Sequence, residues 1–207
     1  MVEPVTMLAE GSVTGQDGDV VHVFVSGNLA LDFLGTRKWR RSEPEELLET
    51  PADLGDWIAA AGVVTGPVRV DASDLERAVR LREALYDLVS ARLGAPGPGV
   101  PSDAIGVLNA AAANPPVVPV VTVDGVRVDG DALAVLSTIA RSGAEVLAPV
   151  TEGVLKECGR DECTRVFLDR SRGARRAWCG MEECGNRVNA AAYRRRRRAA
   201  DGTAASV

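Results

Sequence analysis

The 207-residue sequence predicts an α+β fold, with a mostly helical N-terminal domain that includes a few short strands and a small C-terminal module built around four cysteines. Hydrophobic residues make up 46% of the chain and aromatic residues only 4%, so we expect a core of Ala, Val and Leu. This length supports one sizeable core and a small appended module. We therefore expect a domain over residues 15–150 and a module over residues 151–200.

Capping residues and the 3.6-residue hydrophobic period predict the helices of the N-terminal domain. Thr50 precedes Pro51, a pair that favours a helix start, and Gly62 supplies a stop. The clearest helix, Ser73 to Leu93, repeats its apolar residues near the helical period. The predicted helices are one that begins within 28–33, and others over 51–61, 73–93, 102–113 (capped by Ser102) and 131–147.

Strands are predicted at two places in this domain. β-Branched and aromatic residues favour a strand from Val20 to Val25. The pair Asp124-Gly125 separates two valine-rich runs, 117–123 and 126–128, and therefore predicts a hairpin. After this domain, a short helical piece is predicted from Thr151 to Glu157, directly before the first cysteine.

All four cysteines fall within 27 residues, in the arrangement Cys158-x4-Cys163-x15-Cys179-x4-Cys184. Two close pairs separated by a short spacer are what a tetrahedral thiolate site requires. Buried free thiols and two disulfides are the alternatives, and disulfides are rare in the cytoplasm, where we expect this protein. The spacing predicts one structural Zn²⁺ bound by all four sulfurs, with no open coordination position for catalysis.

The residues between and after the cysteine pairs predict a treble-clef-like module. Val166 to Leu168 is expected to form a strand, Asp169 to Ala174 a polar turn, and Arg175 to Trp178 a returning strand. A helix is expected from Arg187 to Arg198. The side chains expected to pack beside the metal are Phe167, Leu168 and Trp178.

Charge is divided unevenly along the chain. Lys156 to Arg198 holds 13 basic and 6 acidic residues, a balance of +7, whereas the whole chain carries a formal net charge of −5. The rest of the chain therefore carries −12, which is −5 minus 7. A basic tail on an acidic body is typical of proteins that bind nucleic acid.

Two parts of the sequence resemble known families. The run Cys179-Gly180-Met181-Glu182-Glu183-Cys184-Gly185-Asn186-Arg187, preceded by Phe167-Leu168-Asp169 and Arg175-Arg176-Ala177-Trp178, resembles the CGNR zinc-finger family. Upstream, Gly27-Asn28-Leu29-Ala30-Leu31-Asp32-Phe33 is similar to the opening motif of the ABATE domain that accompanies this finger. Members are regarded as candidate bacterial transcription regulators, so the resemblance implies regulation through DNA.

Nucleic-acid contacts are expected from the basic residues of the module, because arginines neutralise phosphates and side chains near a helix start reach base edges. Asn186 and Arg187 lie beside the zinc ligands, where they could read bases or instead cap the helix and offset thiolate charge. The candidate contacts are Arg172, Arg175, Arg176, Asn186, Arg187, Arg194, Arg195, Arg196, Arg197 and Arg198.

These observations predict a transcription regulator that binds DNA through its zinc module, with an N-terminal domain that senses a signal, such as a small-molecule effector, or mediates assembly. The alternative is a zinc-dependent protein-interaction or RNA-binding module, in which the arginines bind an acidic protein or RNA instead of DNA. An enzyme is not expected, because the chain has a single histidine and no Ser-His-Asp set, Walker loop or paired carboxylates.

Other large or polar residues of the N-terminal domain are expected to pack or pair rather than bind a ligand: Asp32, Trp39, Trp57, Arg82 and Tyr86. The longest apolar stretches are far shorter than the roughly 20 residues of a membrane span. The first 21 residues lack the basic start and apolar run of a secretory signal, so we expect a cytoplasmic protein without a membrane partner.

Overall fold

The computed structural model describes residues 22–94, 101, 103–149, 152–188 and 190. Its α-helices are α1 (Leu29–Leu34), α2 (Pro51–Ala61), α3 (Ala72–Arg92), α4 (Ala104–Ala112) and α5 (Ala132–Leu147). Its strands are β1 (Arg37–Lys38), β2 (Glu45–Glu46), β3 (Val118–Thr122), β4 (Gly125–Asp129), β5 (Val154–Glu157) and β6 (Val166–Asp169). They pair in chain order as three separate antiparallel ribbons, which confirms the α+β class.

The helix boundaries follow from local caps. Thr50 and Asp53 form a capping box at the start of α2, which ends at Gly62 with a φ of 62°. Asp71 and Asp131 cap α3 and α5 with their side chains. These three helices confirm the predictions, whereas the predicted cap Ser102 lies outside the described residues. None of the helices in the described part of the chain combines the length and hydropathy that a membrane span needs.

The core forms where α1, α3 and α5 pack together, with α2 and α4 on α3. Phe33 and Trp57 meet edge to face with their ring centroids 4.9 Å apart. Gly143 permits the close approach of α5 and α3, because a Cβ at this position would lie 2.3 Å from Leu85 Cδ2. The same core includes Val166 and Leu168 of β6, so the cysteine module shares it.

The predicted hairpin is present as β3 and β4, but its turn lies one residue earlier. Thr122 pairs with Gly125, which leaves Val123 and Asp124 as the turn residues. Thr65 binds the outer edge of β4 through two hydrogen bonds with the Val128 backbone, of 2.7 and 2.9 Å. The hairpin exposes Val121 and Val123 almost completely.

Two sequence predictions of local structure before the first cysteine are wrong. Of the predicted strand Val20 to Val25, residues 22–25 are extended but join no sheet, because Asp32 and side chains of the C-terminal module bind the backbone of residues 23 and 25 in place of a partner strand. Residues 20 and 21 lie outside the described residues. The helical piece predicted up to Glu157 is instead β5, whose four residues pair with β6. Thr151 itself lies outside the described residues. Pairing with a strand twelve positions away outweighs the weak local preference for helix.

Candidate metal centre and nucleic-acid surface

The first cysteine pair lies in the connection between β5 and β6. Val154 pairs with Asp169 and Glu157 with Val166, so Cys158 and Cys163 lie in the loop that closes this ribbon next to the Glu157–Val166 pair. The Cys158 N–H donates to Arg165 O at 3.0 Å and the Cys163 N–H to Arg160 O at 2.8 Å. These bonds form a tight knuckle that turns both sulfurs to the same side.

The second pair lies at the start of the last helix. This helix opens with a π-helical turn, Met181–Gly185, and continues as α-helix over residues 186–188 and at 190. Cys179 lies two residues before the turn, separated from it by Gly180, and Cys184 lies within the turn. The hairpin prediction for the spacer is wrong, because Arg175 to Trp178 forms no strand and β6 pairs with β5 instead. The predicted helix from Arg187 therefore begins earlier, at Met181, and its part beyond residue 190 lies outside the described residues.

The four sulfurs converge on one point. They all lie within 4.8 Å of one another, and Cys163 Sγ and Cys179 Sγ are 3.9 Å apart. A tetrahedral zinc site with Zn–S bonds of about 2.3 Å requires sulfur–sulfur distances of about 3.8 Å. A disulfide would require about 2.05 Å, and all four cysteines are free thiols. The cysteines are therefore positioned to bind one metal ion.

The chemistry of the donor set also suits a cation. The hydrogen bond with Cys158, together with burial, raises the pKa of the Cys163 thiol to about 12. Hydrogen bonds with Cys158 and Cys163 raise the pKa of Cys179 still further. Four thiolates can coexist in this buried space only around a positive ion. A small cavity of about 30 Å³ lies beside three of the cysteines, Cys163, Cys179 and Cys184.

Trp39 from the N-terminal domain covers the cysteine cluster. It packs against the cysteines together with Phe167 and Trp178, and its φ of 53° is rare for a residue with a side chain. The guanidinium carbon of Arg160 lies 4.9 Å from the centre of the Trp39 ring, and its charge interacts with Cys184. Leu168, predicted beside the metal, instead packs into the main core, because adjacent strand residues point to opposite faces.

Asp169 organises the loop between the two cysteine pairs. Its carboxylate accepts hydrogen bonds from Lys156 Nζ at 2.7 Å, from the Ser171 hydroxyl at 2.6 Å and from the Arg176 N–H at 2.8 Å. Burial raises the pKa of Asp169, but these donors outweigh burial and hold the pKa well below its usual range. The loop is thereby fixed in the conformation that brings Cys179 to the first pair.

The module is attached to the N-terminal domain through the backbone of residues 23–27. Arg165, Arg176 and Arg170 donate to the carbonyls of residues 23, 25 and 27 at 3.0, 2.7 and 2.7 Å. The Leu168 N–H donates to Ser26 O at 2.8 Å. On the other side of this segment, Asp32 accepts from the N–H groups of residues 25 and 26. The motifs that begin at Gly27 and at Phe167 are therefore in direct contact.

Seven arginines lie in the described part of the module, and their side chains divide into two groups. Four donate to protein oxygens: Arg160, Arg165, Arg170 and Arg176. The other three, Arg172, Arg175 and Arg187, are exposed, and within the described ranges their guanidinium groups have no partner.

The predicted nucleic-acid contacts fall on both sides of this division. Arg176 is half-buried, donates to the carbonyls of residues 25, 178 and 179, and lies 4.5 Å from the centre of the Phe167 ring. These contacts hold the module together, so we do not include Arg176 in the interface proposed below. Asn186 and Arg187 are both exposed on the first turns of the last helix. Arg194 to Arg198 lie outside the described residues.

The polar and aromatic candidates of the N-terminal domain serve packing and pairing. Arg82 is fully buried and forms a bidentate pair with Glu46 at 2.5 and 2.6 Å. Trp57 lies in the core, and Tyr86 lies beneath the guanidinium of Arg40, whose carbon is 4.0 Å from the ring centre.

Sequence reasoning missed two kinds of residue at the metal centre. No sequence pattern indicates that Trp39 packs over the cysteines, since 119 positions separate it from Cys158. Arg165 and Arg170 were counted only as part of a basic segment, although both bind the N-terminal domain. The one available signal was that both residues directly flank β6. Side chains at the ends of a strand can reach the element against which the strand packs.

The fold and the site together define a helical domain joined to a four-cysteine metal-binding module. A family model described as "Putative stress-induced transcription regulator", the ABATE domain, matches residues 27–149. A second model, the CGNR zinc finger, matches residues 155–197. The first match spans more than half of the chain, and the protein belongs to the ABATE family and carries a CGNR zinc finger with a single structural zinc site. No curated protein matches this sequence.

Proposed function

We propose that the protein is a transcription regulator that binds DNA through its zinc module, with the N-terminal domain controlling that binding. The observation that carries the proposal is the division of the arginines. Arg172, Arg175 and Arg187 are exposed and unpartnered among the described residues, although four neighbouring arginines are occupied by the fold. Exposed guanidinium groups on a rigid support are the usual contacts to phosphates.

The metal site supports this proposal by holding the basic surface in place. Cys184 fixes the start of the last helix, on which Asn186 and Arg187 are exposed. In sequence this helix leads on to Arg194–Arg198. Four sulfurs complete the coordination of one zinc ion and leave no position for a substrate. The zinc is therefore structural in this proposal, and the protein acts by binding and not by catalysis.

Salt-dependent binding to duplex DNA tests the proposal. The test variant changes Arg172, Arg175 and Arg187 to Gln, and the control variant changes three exposed arginines of the N-terminal domain to Gln, which are Arg69, Arg92 and Arg127. Both variants lose the same charge. If each of the first three contacts one phosphate, the log-log salt slope should fall by about 2.7, at about 0.9 per contact, and stay unchanged in the control.

Zinc content and circular dichroism must match the parent in both variants. Equal loss of affinity in the two variants would mean that general charge, and not this surface, attracts DNA. Stronger binding to single-stranded RNA than to duplex DNA would favour the RNA-binding alternative. Unchanged DNA binding in the first variant and in a five-Gln variant of Arg194 to Arg198 would favour a protein partner.

Loss of a contact between Arg187 and a base edge would lower affinity mainly for the preferred DNA sequence, unlike loss of the phosphate contacts tested above. Chromatin pulldown identifies the preferred site, and Arg187→Ala should then cost about 1 to 3 kcal/mol on that site and little on unrelated duplexes. A loss of zinc in this variant would instead assign Arg187 to the support of the metal centre.

A further inference from the structure

A second concave site lies in the N-terminal domain and shares no lining residue with the metal centre. It is a cavity of about 310 Å³ between α3, α4 and α5. Arg80 and Leu81 of α3, Val107 and Ala110 of α4, and Leu136 of α5 line it. Ligand sites range from about 300 to 1,000 Å³, so this cavity suits a small molecule.

The inner surface of the cavity is apolar. Leu81 and Leu136 are almost completely buried residues of the core, whereas Leu133 at the cavity is 38% exposed. The α4 side is lined in part by alanines, whose short side chains leave the space open. Covering such a surface with an apolar group is favourable, because it removes apolar area from water.

Two arginines of α3 give the cavity its charge. Arg77 donates to Asp74 Oδ1 at 3.1 Å and to Ser73 Oγ at 2.7 Å, so its charge is partly balanced. Arg80 is exposed, and nowhere in the described part of the chain does its guanidinium have a hydrogen-bond or ion-pair partner. No acidic residue lines the cavity. Its electrostatic complement is therefore an anion.

We infer that this cavity binds a small monocarboxylic acid, with the apolar body against Leu81 and Leu136 and the carboxylate paired with Arg80. The cavity supplies both parts of such a ligand with complementary chemistry: an apolar floor and a guanidinium that can form two parallel hydrogen bonds to one carboxylate. This inference does not rest on DNA binding by the zinc module, and it can succeed or fail independently.

Isothermal titration calorimetry on the full-length, zinc-loaded protein tests the inference with two acids, octanoate and phenylacetate, and with the neutral amide of each. We expect saturable binding of at least one acid, with the amide at least about 10-fold weaker, because only the carboxylate forms a charged, two-bond pair with the Arg80 guanidinium. Arg80→Gln should remove this preference for the acid and leave the affinity for the amide unchanged.

Two further variants locate the binding. Ala110→Phe fills the cavity and should weaken both acid and amide at least about 10-fold. Arg69→Gln removes an exposed arginine that does not line the cavity, and it should change neither affinity. Absence of saturable binding for both acids overturns the inference. Acid binding that is unchanged by Arg80→Gln or by Ala110→Phe, with circular dichroism as in the parent, overturns it as well.

Discussion

Replacing Cys184 by Ser tests whether the metal stabilises only its own module or the N-terminal domain as well. The substitution removes one of the four sulfurs that lie within 4.8 Å of one another. Structural zinc contributes about 10 to 16 kcal/mol in small modules, as much as the whole free energy of unfolding of an ordinary domain, about 5 to 15 kcal/mol. The module should therefore unfold without its metal.

The structure also indicates how much unfolding free energy the N-terminal domain should lose when the module unfolds. Val166 and Leu168 of β6 are only 2% and 5% exposed and belong to the main core. Exposing two such side chains costs about 3 to 6 kcal/mol, at about 1.5 to 3 kcal/mol each. A chain of this length loses about 2 to 4 °C in Tm per kcal/mol, so the remaining helical domain should melt roughly 6 to 24 °C lower than in the parent.

Differential scanning calorimetry and elemental analysis of the parent and the Cys184→Ser variant provide the measurement. The parent should contain about one zinc per chain, as four thiolates complete one tetrahedral shell. Glu182→Gln is the matched control, because Glu182 is an exposed residue of the same helical turn. A zinc-free Cys184→Ser variant whose helical domain melts at the parent temperature would refute the shared core as an energetic link.

Three more changes follow from the contacts above. Trp39→Ala should release zinc to a chelator several-fold faster, because it uncovers the cysteines, and an unchanged release rate would show that the cover has no protective effect. Burial raises the pKa of Asp32 to about 6, so the native carboxyl stays protonated at pH values where the unfolded chain is already ionised. Relative to Asp32→Asn, the parent should therefore lose about 2 kcal/mol of unfolding free energy between pH 4.5 and 7, measured by urea unfolding, whereas parallel pH profiles would contradict the raised pKa. Gly143→Ala should cost about 1 to 3 kcal/mol, because the new Cβ would meet Leu85, and an equal or higher Tm would show that α3 and α5 can move apart freely.

Elements fixed by local interactions were predictable from the sequence. The start of α2 depends on Thr50, Pro51 and Asp53, and its end depends on Gly62. Residues at each end of the helix therefore specify the boundary at that end. The turn between β3 and β4 was found for the same reason, although its register differs by one residue. The cysteine cluster was also predictable, because two close pairs at equal spacing are typical of a four-thiolate metal site.

Elements fixed by distant partners were not predictable. Residues 154–157 contain Leu, Lys and Glu, which favour helix, yet they pair with β6 across the cysteine knuckle. Residues 22–25 have the composition of a strand, but arginines of the module bind the carbonyls of residues 23 and 25. In both cases the deciding partner lies in a part of the chain that no local pattern can identify.

The functional role of each arginine in the module also could not be predicted from the sequence, because it depends on tertiary contacts. Sequence patterning treats Arg170, Arg172, Arg175 and Arg176 as one basic run of equivalent positive charges. In the fold, Arg170 and Arg176 donate to the backbone of the N-terminal domain, whereas Arg172 and Arg175 remain exposed. A guanidinium that binds a backbone carbonyl is a structural connection, and one that faces solvent is available to a phosphate. Net charge therefore indicates that the module is basic, but only the tertiary contacts separate the arginines that hold the module from those that a nucleic acid can reach.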